Sequence, residues 1–433
     1  MRRLWFGLLL VVSAWPTSVG PIRAAGATRV LRRSSAPLPA YRDGEVIVAF
    51  GKASEQGTIE RAIRDAGGIA ARRAAIGGQY LVKLEPGVSV ADAVAQFRSM
   101  REVEYAEPNG IARAMFTPND PGFPFQWSLS LLNAERMWDI QKGDPSVVVA
   151  IVDTGIAYED FGPFRKAPDW GDATFVTGFN VITGSSHAND DNSHGTFVAS
   201  VIAEGTDNGL GVAGMAFHCA LMPIKVLGAD GTGSFFDIAQ GVDFATGHGV
   251  RVINMSLGGT FASVTLQQSI DRAVGAGIVV VAASGNENGS IDYPAAFSNV
   301  IAVGATDFRR QRAPYSNFGP QLSLVAPGGD LSRDDNNDGE PDGILQQTFD
   351  EQSAEQGIYG DFAYFFGDGT SFAAPHVSAL AALLYQQGIH DPVAIRSAME
   401  STADDLGTPG RDDQYGHGQI NPVKALTGLG LNQ

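Results

Sequence analysis

Three polar side chains interrupt otherwise apolar segments, and each is of a type that nucleophilic or acid–base chemistry uses. Asp153 ends the run Ala150-Ile151-Val152-Asp153-Thr154-Gly155, which puts a carboxylate at the carboxyl end of a buried strand, the edge where open α/β sheets bind ligands. A buried charge needs a partner; the alternative is an Asp that caps the next turn. His194, in Asp190-Asp191-Asn192-Ser193-His194-Gly195-Thr196, opens the apolar stretch Phe197 to Ala203, as a base or as a plain helix-start residue. Ser371 lies in Gly367-Asp368-Gly369-Thr370-Ser371-Phe372-Ala373-Ala374-Pro375-His376-Val377. Small residues let backbone approach a ligand, and Pro375 fits the first turn of a helix. Ser371 then stands where free N–H groups and the positive dipole end favour an anion. A serine N-cap would explain Ser371 but not the glycines and proline around it. Brought together, these three groups would make a nucleophile, the base that takes its proton and the carboxylate that orients the base.

The elements that must position them follow from hydrophobic pattern. Short, almost wholly apolar runs, Val147 to Val152, Leu221 to Leu227, Val250 to Met255, Ile278 to Ala283 and Val300 to Val303, are those of parallel strands covered on both faces. They predict an α/β domain over 117–433. Ahead of it, Tyr41 to Ala112 reads as a small α+β unit. Strands are expected at Glu45–Phe50, Gln79–Leu84 and Val103–Glu107, and helices at Glu55–Ala66, stopped by Gly67-Gly68, and Val90–Met100. Residues 1–27 read as a secretory signal: Arg2-Arg3, then the apolar stretch Leu4 to Ala14, too short to span a bilayer. Cleavage fits Ala25-Gly26-Ala27 or Ile22-Arg23-Ala24, and a retained anchor is the other reading. Residues 28–40, rich in Arg, Ser and Pro, form a linker.

Composition narrows the classes. The 433 residues carry 30 Lys+Arg against 47 Asp+Glu, a net charge of −17, which offers no basic surface to nucleic acid. A hydrophobic content of 44% with 18% charged residues excludes wholesale disorder. One cysteine, Cys219, excludes an intramolecular disulfide framework and a Cys-rich zinc cluster. Residues 1–116 hold 16 Lys/Arg and 10 Asp/Glu, whereas 117–433 hold 14 and 37. Segments of net +6 and −23 would attract each other, or are simply two unrelated domains.

The order Asp, His, Ser is that of subtilisin, and the motifs around Asp153, His194 and Ser371 resemble those of the subtilase family of serine peptidases from about Thr117 to the C-terminus. The resemblance implies a mostly parallel central sheet with helices on both faces, and a secreted serine endopeptidase made as a zymogen and monomeric after processing. Ser284-Gly285-Asn286-Glu287 resembles the oxyanion-hole segment, which makes Asn286, with the N–H of Ser371, the donor to a developing oxyanion. Protein or peptide substrates would lie between Gly231-Thr232-Gly233 with Phe235 and Ser256-Leu257-Gly258. Glu287 near the rim and Asp292 near the base of the specificity pocket would favour Lys or Arg. The unit 41–112 resembles a ferredoxin-like subtilase propeptide, a folding assistant and inhibitor whose tail fills the groove until it is cut within the processing region 113–116.

Calcium is the implied structural metal, since oxygen ligands abound. Thr206-Asp207-Asn208-Gly209-Leu210-Gly211-Val212 resembles the family's calcium loop, with Asn208, carbonyls of Thr206, Leu210 and Val212, and carboxylates of Asp120 and Asp169. A second candidate, Asp334, Asn336, Asp338 and Asp342, resembles an EF-hand-type loop, though Leu345 replaces the closing Glu; a solvated acidic loop is the other reading. Phe197 and Ser200 depart from the family's usual His and Gly. Tyr158 to Lys166 is insertion-like, and 331–366 is read as a long acidic loop. Two other classes stay open: a non-catalytic, calcium-stabilised binding protein on this fold, and an esterase or acyl transferase using the same serine.

Overall fold

The structure is a computed structural model that describes residues 10–11, 41–111 and 116–428. The chain divides into two compact units, 29–114 and the remainder. Strand β1 (Leu10–Val11) belongs to the second; the rest of the signal segment, the linker and most of the processing region lie outside the described residues.

In the smaller unit, β2 (Tyr41–Phe50), α1 (Gln56–Asp65), β3 (Gly68–Arg73), β4 (Gln79–Leu84), α2 (Val90–Ser99) and β5 (Val103–Gly110) follow a β-α-β-β-α-β course. The antiparallel sheet has the order β3-β4-β2-β5, the ferredoxin-like arrangement. α1 buries Ile59, Ala62 and Ile63 on one stripe, the spacing of an amphipathic helix. Ser89 caps α2 through the N–H of Asp92. Strand β3 was not expected beyond the Gly67-Gly68 stop. It is an edge strand exposed from Ile69 to Arg73, so it carries no inside–outside alternation to read.

The larger unit contains α3 (Trp127–Leu131), α4 (Ala134–Ile140), β6 (Val148–Asp153), β7 (Phe179–Asn180), α5 (His194–Ala203), β8 (Ala220–Lys225), α6 (Phe235–Gly247), β9 (Val252–Met255), α7 (Val264–Gly275), β10 (Val279–Ala283), β11 (Ile301–Thr306) and β12 (Leu324–Pro327). After these come β13 (Ile344–Phe349), α8 (Glu351–Glu355), β14 (Phe362–Gly367), α9 (Thr370–Gln386), α10 (Pro392–Thr402) and α11 (Pro422–Thr427). Seven parallel strands run in the order β12-β11-β10-β9-β6-β8-β7. Alternate residues of β6 face opposite cores: Val149 and Ile151 pack with α5 and α9, Ala150 and Val152 with α6 and α7. The chain leaves β6 towards β7 and β8 on one side and towards β9 on the other. Asp153 therefore ends the strand at the topological switch point. Among the described residues no helix is long and apolar enough to cross a membrane.

One expectation needs correction. The 331–366 stretch is not a structureless loop: β13 and β14 pair antiparallel from Ile344↔Gly367 to Phe349↔Phe362, and β1 pairs along β14. Its apolar strands were masked in the sequence by the acidic segments beside them. The insertion at 158–166 reaches this hairpin, since Phe164 stacks on Tyr359 at 4.8 Å and the Arg165 N–H donates to the Tyr359 carbonyl.

Phe97 is fully buried at the centre of the smaller unit's core, which is modest in size. Phe97→Ala in the full chain is expected to cost about 3–5 kcal/mol there. The check is hydrogen exchange: amides of β2 and β4 should lose protection while those of β6 and β10 keep theirs.

Candidate active site

The end of β6 brings Asp153 to His194. Asp153 is fully buried, and its Oδ1 lies 2.8 Å from His194 Nδ1 and accepts the Thr154 N–H at 2.7 Å. Its Oδ2 is buried without a hydrogen-bond partner. Gly195 is required beside this pair, because a side chain there would strike the Gly155 carbonyl and come within 3.1 Å of Asp153 Oδ1. Burial pulls the His194 imidazole down, but the Asp153 charge and hydrogen bond outweigh it, and with Asp190 and Glu351 the result lies above the ordinary histidine value.

Sequence reasoning missed the residues that hold this pair. Ser193, the residue before α5, has φ 100° and no capping side chain; Asp190 supplies the cap instead. Its Oδ2 accepts the Thr196 N–H and hydroxyl, and its Oδ1 accepts from Asn192, Ser193 and Thr154 Oγ1. Lys225, paired in register with Asp153 across β6 and β8, is buried. Its ammonium donates to the Thr154 and Leu227 carbonyls and to Asp191 at 2.6 Å. A lysine inside an apolar strand was the available signal, since such a charge survives only when paired.

Ser371 is the second residue of α9. Pro375 lies inside that helix rather than in its first turn. Having no N–H, it leaves the Ser371 carbonyl, four residues earlier, without its helical donor. The Ser256 hydroxyl donates to that carbonyl at 2.6 Å, while the Ser371 hydroxyl donates to the Ser256 carbonyl at 3.3 Å. Asn286 Oδ1 accepts from both the N–H and the hydroxyl of Thr370, which turns the amide NH₂ away from Thr370. Gly369 has φ 155° and ψ 156°, a region essentially confined to glycine. A Cβ built on it would stand 3.6 Å from Asn286 Nδ2 and 3.7 Å from Ser371 N, so its absence leaves room between these two donors. His194 approaches the same helix start, its ring 5.7 Å from that of Phe372.

The predicted groove residues divide. Gly231 and Thr232 lie in a turn: Gly231 N–H donates to the Gly228 carbonyl, Gly228 N–H to the Thr232 carbonyl, and the N–H and hydroxyl of the exposed Thr232 to Asp230. Gly233 is exposed, and Phe235 opens α6 with its ring against Gly259. On the facing strand end, Ser256 is buried, and Leu257 and Gly258 are progressively more exposed. Asp292 packs on Gly258. A Cβ on Gly285 would stand 2.8 Å from Asp292 Oδ2 and 2.9 Å from Glu287 Oε2, so the two carboxylates flank that glycine. Glu287 Oε2 accepts from the Asn286 N–H and Asn317 Nδ2. Burial and then the Glu287 charge push Asp292 up to about 6.

Residues 144–418 match the family model described as the subtilase family, peptidase S8. The chain belongs to the subtilase family. Residues 32–109 match the fervidolysin N-terminal prodomain model. A thermophilic serine proteinase of Bacillus sp. (strain AK1) is 34% identical over 394 residues, which is 90% of this chain and 88% of that protein. The minor extracellular protease Epr of Bacillus subtilis (strain 168) is 33% identical over 301 residues, 68% of this chain and 41% of that protein. A solved protease of Pseudoalteromonas arctica PAMC 21717 superposes with a TM-score of 0.63 at 32% identity, covering 72% of this chain and 99% of that one. This subtilase is a subtilisin-like serine protease with an N-terminal prodomain.

The loop expected to hold calcium in this subtilase is closed on itself. Asp120 accepts the N–H groups of Asp207 and Asn208; Asp169 accepts Asn208 Nδ2 at 2.9 Å and the Val212 N–H at 3.0 Å. Asn208 Oδ1 accepts from Leu210, and the Thr206 hydroxyl donates to Glu204. Each of these carboxylates thus faces N–H donors. The Tyr364 hydroxyl of β14 also stands with Asp169 in the space over Gly211. The arrangement does not fit the expected calcium. Among the described residues, no three His, Cys, Asp or Glu side chains are drawn together as a metal site. The departures on α5 meet two elements, Ser200 the hairpin and Phe197 the start of α9. Ser200 donates to the Gln347 carbonyl and to Glu204, and Phe197 packs on Phe372 at 4.1 Å.

Lys225→Met should expose how far the Asp153 edge depends on that ammonium. It strands Asp191 beside Asp190, and a loss of about 3 kcal/mol is expected, read as a lower urea midpoint at unchanged slope. A loss below ~0.5 kcal/mol would mean that solvent carries the charge instead.

Proposed function

We propose that this subtilase is a secreted serine endopeptidase that cleaves peptide bonds through an acyl-enzyme on Ser371, with His194 as base, Asp153 as its orienting carboxylate, and Asn286 Nδ2 with the Ser371 N–H as oxyanion donors. The 2.8 Å contact between His194 Nδ1 and Asp153 Oδ1 carries this reading. It fixes the tautomer with Nε2 free to take the Ser371 proton and later give it to the leaving amine. The buried Asp153 charge stabilises the imidazolium that forms in between. The two donors around Gly369 would meet the carbonyl oxygen as it gains charge, having been oriented before substrate arrives.

On the same reading, residues 1–27 direct export, 28–40 link, and 41–112 inhibit the catalytic part 117–433 until the chain is cut within 113–116, leaving a monomer. The prodomain match, the opposite charges of the two segments and the extracellular relative support it. Ser371→Ala should abolish hydrolysis of casein and labelling by a fluorophosphonate. Asn286→Ala should keep KM within a few-fold and lower kcat by ~10²–10³, the size found for the corresponding donor of subtilisin. An unchanged kcat would remove Asn286 from the oxyanion site.

The acidic pair Glu287 and Asp292 is proposed to select Lys or Arg at the specificity pocket. With its pKa raised to about 6, Asp292 is neutral below that pH and charged above it. The ratio of kcat/KM for an Arg substrate to that for its Leu analogue should therefore climb between pH 5 and 7; the His194 titration cancels in the ratio. Asp292→Asn should flatten the climb, and a flat ratio in the unmodified enzyme would refute the assignment.

A further inference from the structure

The acidic groups between β12 and α9 differ in whether a donor holds them. In the loop after β12, Asp334, Asn336 and Asp338 accept the N–H groups of Asp338, Gly339 and Glu340, and Asp342 accepts the Asp335 N–H through Oδ2. That loop closes on itself, contrary to the EF-hand-type site its letters suggest. At the tip of the hairpin, Asp350 Oδ2 caps α8 through the Ser353 N–H, and Asp361 Oδ2 accepts the Ser353 hydroxyl. Glu351 is different. Its carboxylate, half-buried at the start of α8, has no hydrogen-bond or salt-bridge partner among the described residues. The hairpin fixes its place. β13 passes α5 with the Gln347 carbonyl at Ser200 and the Thr348 hydroxyl donating to the Ser193 carbonyl at 2.6 Å, so the chain leaves β13 at the His194 end of α5. Phe349, fully buried against Tyr359 and Phe362, roots the turn. Burial raises the Glu351 carboxyl and the His194 charge opposes it, while Glu351 in turn helps to hold His194 up.

Ser371 has two flanks. On one, Ser256 at the end of β9 bonds it, and Gly258 continues to Asp292; this is the flank of the proposed groove and specificity pocket, which hold the acyl part of a substrate. On the other, the Phe372 ring lies 5.7 Å from that of His194 and 4.1 Å from that of Phe197, against Gly367 of β14. A peptide laid over Ser371 from the first flank leaves along the second, past the imidazole that protonates its leaving amine and beside α8. We propose that Glu351 is a specificity-determining residue, selecting Lys or Arg in the part of the substrate that follows the scissile bond. The assignment rests on the endopeptidase reading above and extends it to the leaving side. A cationic side chain there supplies the donor that this chain does not. Arg165, the cation of the neighbouring insertion, is turned to the Gly162 and Phe164 carbonyls instead. An acidic substrate residue would meet like charge, which adds rejection to selection.

The test compares peptides hydrolysed at about pH 8, where carboxylates are ionised, by the full chain after it has processed itself. The peptides share one acyl part and carry Arg or Leu at the first or second position after the scissile bond; mass spectrometry confines the count to that bond. His194 and the acyl-side contacts are common to both, so the ratio of their kcat/KM values isolates the leaving side. The unmodified enzyme should favour Arg by ~3–10-fold. Glu351→Gln should bring the ratio close to unity, and Glu351→Lys should place the Arg peptide below its Leu analogue. Glu355→Gln, which removes an exposed charge of the same helix, should hold the ratio within about twofold. A ratio unchanged in Glu351→Gln, even where both rates fall together, would mean that the carboxylate acts only through His194, and would overturn the proposal. Equal rates for the two peptides in the unmodified enzyme sink the assignment and leave the acyl-enzyme reading standing, whereas cleavage of neither sinks both.

Discussion

The contact between His194 and Asp153 depends on placing a negative charge at the edge of an apolar parallel sheet and keeping it there. An unpaired charge at such a site costs several kcal/mol, so the surrounding chain is organised to hold it. Register places Lys225 beside Asp153 across β6 and β8, and its ammonium spans Thr154, Leu227 and Asp191. Asp190 then fixes the start of α5 through Thr196. The imidazole meets the carboxylate because a strand end and a helix start are each anchored by a second charge that does no chemistry.

A comparable device lies under Ser371. A proline inside α9 would ordinarily weaken the helix by removing a hydrogen bond. Here the freed Ser371 carbonyl is taken by Ser256 Oγ, which accepts from Asn254 Nδ2, while Ser378 donates to Asn254 Oδ1. Asn254 and Ser378 are fully buried, and this chain satisfies them. Polar side chains inside the core thus tie β9 to the first turn of α9, where a displaced hydroxyl would matter most.

What the sequence makes legible follows from burial. Parallel strands covered on both faces announce themselves as Val/Ile runs, and an Asp, His or Ser that interrupts such a run stands out. Strand β3 has no buried face and left no pattern. Lys225 acts through Thr154 and Asp191, far along the chain, and Asp190 through N–H groups of Asn192, Ser193 and Thr196 that are freed only once α5 starts at His194, so neither role shows in the letters. Pro375 lies deeper in α9 than the local rule for proline in helices predicts, because Ser256 offers a replacement donor from another strand end. The Asp120 and Asp169 loop misled in the opposite direction: its letters suit a cation, but its oxygens meet N–H groups supplied by the same loop.

That last difference has a cause in the hairpin. Gln347 of β13 donates to Glu204 and accepts the Asp169 N–H; Thr348 donates to the Ser193 carbonyl beside His194. Tyr364 of β14 reaches Asp169, and burial together with Asp120 holds the Asp169 carboxyl well above its ordinary range. The hairpin therefore supplies hydrogen bonds where the charges of Asp120, Asp169 and Glu204 repel one another. Since β14 runs through Gly367-Asp368-Gly369 into α9, it also joins the helix that carries His194 to the helix that carries Ser371. In a packed interior, two elements clasped by a third cannot shift independently, so the inserted hairpin is coupled to the geometry of the site.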